Sequence, residues 1–218
     1  MGASETRTRT GPPGGFTLVE LLTVIIIIGL LASILLPTVT SALKSGYGAK
    51  TFAQRKNLED GAENYKQDHR GLYPGQDDIS ILGSGAGKFT GSQVLAAYLF
   101  DYQLGAANPE PTGKYAAFKE EYLTTLEARP LTLSDLFPKG REMAFCYYAA
   151  RRTSNLSAMY VYEDNSVYTD AAGGNAAAFA GFIADARFGN QPRQIGRFIL
   201  IAPGGDRKYF TPDDVKNW

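Results

Sequence analysis

The sequence predicts an α+β protein in which one long N-terminal helix is followed by a small antiparallel sheet with extra helical insertions. Residues 16–36 form a continuous apolar run, and the apolar residues after it recur at helical spacing to about Asp68. Short apolar runs bounded by turn residues follow in the C-terminal part. A long helix followed by short strands is typical of the α+β class.

The apolar run at residues 16–36 is long enough to cross a membrane as a helix. It carries one charged residue, Glu20, whose carboxylate costs several kcal/mol in lipid unless it finds a partner. Arg7 and Arg9 precede the run and most of the chain follows it. This order predicts a single membrane pass with the N-terminus inside and residues 71–218 outside.

Residues 37–70 are predicted to be the amphipathic half of the same helix, which would then be roughly 80 Å long from Phe16 to Asp68. We expect residues 37–48 to bend or melt, because Pro37, Gly46 and Gly48 weaken helices. Arg55 is expected on a solvent face with the other charged residues. The spacing predicts one apolar stripe made of Val39, Leu43, Tyr47, Phe52, Ala53, Leu58, Ala62 and Tyr65.

The globular part, residues 71–218, begins where Gly71 suits a helix cap and Tyr73-Pro74 stops the helix. A hairpin turn is predicted at 163–166. Helical spacing predicts helices over Ser92–Leu104, Tyr115–Arg129 and Ala176–Arg187, and apolar runs predict strands over Met143–Ala149, Ala158–Tyr162 and Phe198–Ile201.

Composition argues against an enzyme and against a nucleic-acid-binding protein. The chain has 22 basic and 22 acidic residues, whereas a nucleic-acid-binding surface is basic. It has one histidine, His69, and one cysteine, Cys146. One histidine and one cysteine provide few of the side chains that a zinc cluster or a catalytic triad requires. Cys146 cannot form an internal disulfide, and its apolar surroundings predict a buried, inert thiol.

The C-terminal segment 202–218 is acidic and rich in glycine. Asp206, Asp213 and Asp214 supply hard oxygen ligands of the kind that calcium prefers, and glycines let the backbone curl around an ion. A solvated turn, with Asp213 capping a short final turn, accounts for the same residues. The spacing alone does not choose between these two interpretations.

Two motifs resemble those of type IV pilins and of the major pseudopilins of type II secretion. The first is a polar leader, residues 1–15, that ends at Gly15 and is followed by Phe16-Thr-Leu-Val-Glu20 and the apolar run. The second is the Leu, Ala, Tyr-Lys, Asp, Gly and Tyr-Pro pattern within residues 58–74. The resemblance implies cleavage between Gly15 and Phe16 by a prepilin peptidase, with N-methylation of Phe16. The alternative is an uncleaved single-pass anchor.

The resemblance also implies how such a chain would assemble. Glu20 would pair with the α-amino group that cleavage creates at Phe16 of a neighbouring subunit. The partners would be further copies of the chain, minor pilins or pseudopilins, and an assembly platform in the bacterial inner membrane, with no nucleic acid. The domain would lie in the periplasm or in an extracellular filament. The loop 202–218 would bind structural calcium through Asp206, Asp213 and Asp214.

Three functions remain open at this stage. The chain is expected to be a pseudopilus subunit in type II protein secretion, in agreement with the second motif, the acidic loop and the missing disulfide. A type IV pilin of a surface filament for adhesion, motility or DNA uptake is the first alternative. A membrane-tethered binding protein that does not polymerise is the second, because residues 79–139 look like an insertion relative to major pseudopilins.

Overall fold

The computed structural model describes residues 15–83, 85–106, 109–138 and 140–218. The chain divides into two units, 1–43 and 44–218. The helices within the described residues are α1 (Leu18–Asp68), α2 (Gly91–Phe100), α3 (Ser166–Ala171) and α4 (Ala176–Ile183). The strands there are β1 (Leu123–Leu126), β2 (Arg129–Leu133), β3 (Cys146–Ala149), β4 (Ala184–Asp185), β5 (Gln191–Pro192), β6 (Phe198–Ala202) and β7 (Val215–Lys216).

The long helix is confirmed, and it is unbroken where a bend or melting was predicted. Residues 37–48 are helical throughout. Pro37 has no N–H to donate, and the helix continues through it without that one hydrogen bond. The Pro37 carbonyl accepts a hydrogen bond from the Thr40 hydroxyl at 2.9 Å. The helix ends at Asp68, as predicted, and Gly71 caps it with a φ of +80°, donating its N–H to the Lys66 carbonyl at 3.0 Å.

The buried face of α1 differs in part from the predicted apolar stripe. Its last turns are buried as expected, at Leu58, Ala62 and Tyr65. Nearer the N-terminus, Phe52 and Ala53 are exposed, and the buried positions are instead the polar residues Thr51, Gln54 and Arg55. The stripe prediction was wrong there, because the Gln54 amide donates to the Ser134 carbonyl at 2.8 Å and Arg55 pairs with Glu59 at 2.6 Å.

The central sheet has the order β3–β6–β7, with both pairs antiparallel. In β3 the side chains alternate between two cores. Tyr147 packs with residues of α1, α2 and β2, while Cys146 and Tyr148 pack with residues of α3 and α4. An antiparallel bridge between Ser134 and Ala144 joins the β1–β2 hairpin to this sheet. Residues 79–139 therefore contribute to the main core rather than to a separate module.

Helix α2 starts as its sequence requires. Thr90 and Gln93 form a capping box, in which the Thr90 hydroxyl accepts from the Gln93 N–H and the Gln93 side chain accepts from the Thr90 N–H. Gly91 lies so close to β3 that an added Cβ would overlap the Tyr147 carbonyl oxygen. The predicted helix over Ser92–Leu104 is confirmed to Phe100.

The predicted helix over Tyr115–Arg129 is wrong. Leu123–Leu126 and Arg129–Leu133 pair as an antiparallel hairpin, and its turn residues Glu127 and Ala128 have φ values of +48° and +57°. Both turn residues adopt the left-handed conformation that this tight turn needs, although neither is glycine or asparagine. Pro130 also excludes a helix that continues beyond this turn.

The predicted strand over Ala158–Tyr162 and the hairpin turn at 163–166 are also wrong. Leu156–Ala158 and Tyr162–Asp164 are 3-10 turns, and α3 begins at Ser166. Asn155 favours the first turn, because its side chain accepts from the Ser157 N–H. The strand predicted at Met143–Ala149 is confirmed from Cys146 as β3, and the strand predicted at Phe198–Ile201 is confirmed as β6. The helix predicted at Ala176–Arg187 is confirmed to Ile183.

Candidate functional site

The first candidate site is the start of α1, where Thr17 and Glu20 form a reciprocal cap. The Thr17 N–H and hydroxyl donate to Glu20 Oε2 at 2.9 and 2.8 Å, and the Glu20 N–H donates to the Thr17 hydroxyl at 3.2 Å. This is a capping box, which satisfies donors that a helix N-terminus otherwise leaves unpaired. Glu20 therefore has a local partner that sequence reasoning missed, although Thr-x-x-Glu was its signal.

The apolar helix around Glu20 presents its side chains outward. α1 is long and apolar enough to cross a membrane, and none of its most apolar window is buried within the chain. Phe16 is exposed, as are the leucines and isoleucines that follow. Gly15 and Phe16 lie among the described residues, whereas residues 1–14 of the expected leader lie outside them. An unburied apolar segment of this length needs lipid or other helices around it.

The second candidate site is the acidic loop between β6 and β7. Carboxylate oxygens of Asp206, Asp213 and Asp214 lie within 4.8 Å of one another, as the sequence predicted. Asp206 and Asp213 are exposed and Asp214 is buried. Carboxylate oxygens are the hard ligands that calcium prefers, and these three residues could supply part of the roughly six to eight oxygens that such an ion takes.

The loop holds its carboxylates in place with hydrogen bonds. Asp214 Oδ2 accepts from the Phe210 and Thr211 N–H groups at 2.7 and 3.3 Å, and Asp213 Oδ1 accepts from the Thr211 hydroxyl at 2.7 Å. Burial raises the pKa of Asp214 to about 6 despite these donors. Burial acts on Asp213 in the same direction, but hydrogen bonds from Thr211 and from backbone amides outweigh it and lower its pKa.

Glycine is required where the two arms of the loop meet. A Cβ added at Gly204 would lie 2.5 Å from Asp213 Cγ and overlap two Asp213 oxygens. Arg207 follows Asp206 in the sequence, but its side chain pairs outside the acidic loop. Its guanidinium pairs with Asp135 at 2.6 Å and lies 3.9 Å from the centre of the Phe137 ring.

Two residues that sequence reasoning missed fix this loop to the domain. Asp135 is fully buried and holds Arg207. Asn217 lies across β6, donating to the Phe198 carbonyl at 3.1 Å and accepting from the Leu200 N–H at 3.0 Å. No sequence signal connects Asp135 with Arg207, since the pair spans 72 positions of the chain.

The two remaining residues whose side chains could take part in catalysis, Cys146 and His69, are packed against other side chains of the fold. Cys146 is fully buried, as predicted, and burial raises the pKa of its thiol. His69 is half-buried and stacks on Tyr65 with ring centres 3.7 Å apart, at the C-terminal end of α1. Neither residue belongs to a cluster of nucleophile and base within the described residues.

Comparison of this chain with models of protein families, with curated proteins and with solved structures finds no match. The fold and the two sites therefore define the class of protein on their own. It is an α+β chain with one N-terminal helix that could be a membrane anchor or a signal sequence, and with an acidic loop in its C-terminal segment.

Proposed function

We propose that this chain is a structural subunit of a pseudopilus-type filament in type II protein secretion, which polymerises through its N-terminal helix. The observation that carries the proposal is Glu20, a single carboxylate in the first turn of an otherwise apolar and wholly exposed helix segment. In a single-pass anchor Glu20 would act only as the helix cap with Thr17, which needs a side-chain acceptor and not a charge. A subunit whose helices bundle with those of its neighbours can pair that charge.

Cleavage after Gly15 would create an α-amino group at Phe16, four residues before Glu20. In one subunit the Glu20 carboxylate is engaged by Thr17. A carboxylate has two oxygens with room for several donors, so the α-amino group of a neighbouring Phe16 can bind without breaking the cap. Pairing of the two charges favours insertion of the subunit into the filament over its retention in lipid.

We further propose that the loop formed by Asp206, Asp213 and Asp214 binds calcium and that the role of the ion is structural. The geometry supports this, because one carboxylate oxygen from each of the three aspartates lies within 4.8 Å of the others, and calcium takes such oxygens as ligands. The loop lies between β6 and the two-residue strand β7. A bound cation would hold this short strand on the sheet.

The calcium proposal predicts a change in thermal stability of the unit 44–218. In excess calcium the wild-type unit is expected to gain about 3 kcal/mol at a hundredfold excess over Kd, and Asp214→Asn is expected to lose this gain. In chelator at pH 7, Asp214→Asn should be at least as stable as the wild type. The wild type is above the Asp214 pKa of about 6 at this pH, so its folded state carries the free-energy cost of a buried charged carboxylate, which asparagine avoids.

The control for this prediction is Asp164→Asn, which changes another buried aspartate whose pKa burial raises to about 6. Asp164 pairs with Arg151 at 2.6 Å, and among the described residues it belongs to no group of three clustered acidic side chains. Differential scanning calorimetry with calcium and with chelator measures all three proteins. Equal melting temperatures of the wild type in the two buffers would show that the calcium site does not exist.

Deletion of the chain tests the proposed function directly. We expect a deletion strain to lose specific proteins from the culture supernatant while its sheared surface filaments are unchanged. Loss of surface filaments with normal secretion would instead make the chain a surface pilin. An unchanged strain, together with an unprocessed chain in the membrane, would favour a tethered protein that does not polymerise.

A further inference from the structure

The segment between α4 and β6, which contains β4 and β5, forms a groove lined by both apolar and cationic side chains. The groove has a volume of about 460 Å³ and is lined by residues of 185–195 and by Trp218. Phe188 and Ile195 line it and are 67% and 51% exposed. Arg187 and Arg193 also line it. In the part of unit 44–218 that the structure describes, the large apolar side chains that remain exposed are Phe52, Ile79, Phe188 and Ile195.

The groove is held in one shape by a single carboxylate. Asp185 accepts hydrogen bonds from the Arg187 N–H at 3.1 Å, from the Arg187 guanidinium at 2.9 and 2.7 Å, and from Arg193 at 3.0 Å. Asn190 and Gln194 adopt left-handed backbone with φ values of +58° and +57°. An ordered turn loses little conformational entropy on binding, so this groove is suited to recognition.

The same unit exposes a segment with complementary chemistry. Asp77, Asp78 and Ile79 are adjacent and exposed, and Ile79 is 45% exposed. The segment is ordered, because Asp78 Oδ1 accepts from the Ser80 N–H at 3.0 Å. It offers two carboxylates and one aliphatic side chain. The groove offers two guanidinium groups beside Phe188 and Ile195. Asp185 balances the charge of one of them, so the groove keeps one positive charge.

We propose that the groove lined by Phe188 and Ile195 receives the Asp77–Ile79 segment of a second copy of this chain. Ile79 would pack between the two apolar side chains of the groove, and the aspartates would face Arg187 and Arg193. The inference rests on the proposed function, since it assigns a contact between domains of one filament. The segment and the groove share no residue. When two copies make the contact, one copy keeps a free groove and the other keeps a free segment, so further copies can add and the contact can repeat along a polymer.

Cysteine cross-linking in the full-length chain tests this contact. The native Cys146 is fully buried, so the introduced thiols alone are expected to react. Cells that express the Asp77→Cys and Phe188→Cys variants together should give a cross-linked dimer on oxidation, and neither variant alone should. The double variant should give a ladder of larger products. The control pair is Asp77→Cys with Phe52→Cys, which also carries its cysteine at an exposed aromatic position.

We expect at least tenfold more cross-linked product from the Asp77–Phe188 pair than from the control pair. Equal yields from the two pairs, or a double variant that stops at dimers, would overturn the inference. Sheared filaments and leader cleavage are measured in the same cells. Filaments without the cross-link would refute this contact alone, whereas an uncleaved chain without filaments would refute the proposed function.

Discussion

Cells that carry Glu20→Gln are expected to process the chain normally and to assemble at least tenfold fewer filaments. Glutamine keeps the side-chain acceptor of the capping box with Thr17, so the helix should start where it does now. What it removes is the negative charge. An ion pair that loses one partner inside an apolar bundle costs about 3–5 kcal/mol, because the other charge stays buried and unpaired. Glu20→Ala removes both functions and should assemble no better.

Thr17→Ala is the matched control for this prediction. It removes the hydroxyl that bonds Glu20 and costs about 1 kcal/mol of helix capping, but it leaves the carboxylate charged. We expect Thr17→Ala to retain most filaments. Leader cleavage is followed by the change in mobility of the chain, and filaments are counted after shearing. Normal assembly of Glu20→Gln would show that Glu20 acts only as a helix cap, and the proposed role would then be wrong.

Gly91→Ala is expected to destabilise the unit 44–218 by about 3 kcal/mol, the upper part of the usual range for overpacking. The added methyl group would overlap the Tyr147 carbonyl oxygen and lie 2.9 Å from both its carbonyl carbon and Asn165 Nδ2. Asn165 joins α2 to β3, donating to the Tyr147 carbonyl at 2.7 Å and accepting from the Ser92 N–H at 3.1 Å. The substitution would separate these groups and leave buried polar atoms unpaired.

Thermal unfolding measures this effect, and about 3 kcal/mol corresponds to a fall in Tm of about 6–12 °C for a unit of this size. Gly181→Ala is the control, because it makes the same change inside α4, where an added Cβ meets nothing within 4 Å. Gly181→Ala should be neutral or stabilise the unit by up to about 1 kcal/mol. Equal melting temperatures for the two variants would contradict the close approach of α2 and β3.

Local signals predicted the parts of the fold that depend on local interactions. The apolar run and the helical spacing after it predicted α1, apart from its continuity through residues 37–48, and Gly71 with Tyr73-Pro74 predicted its end. The clustering of Asp206, Asp213 and Asp214 followed from glycines that let a short loop turn back on itself. In each case the residues that decide the structure lie within a few positions of one another.

Non-local partners explain the failures. Gln54 is buried because its amide reaches the carbonyl of Ser134, 80 positions away, and no local pattern indicates that a glutamine belongs in the core. The β1–β2 hairpin is likewise favoured by its packing against α2 and by the bridge to β3. Its turn, Glu127-Ala128, lacks the glycine or asparagine that would have predicted it.

The polar and apolar contacts of α1 are arranged in series along the helix, and this order has a mechanical consequence. A force that pulls on the N-terminal end of α1 reaches Thr51, Gln54 and Arg55 before it reaches Leu58. Three buried polar atoms in these first turns, Thr51 Oγ1, Gln54 Oε1 and Arg55 Nε, have no hydrogen-bond partner among the residues that the structure describes. We therefore expect these turns to separate from the domain at a lower force than the turns at Leu58, Ala62 and Tyr65, so that α1 opens there first under load.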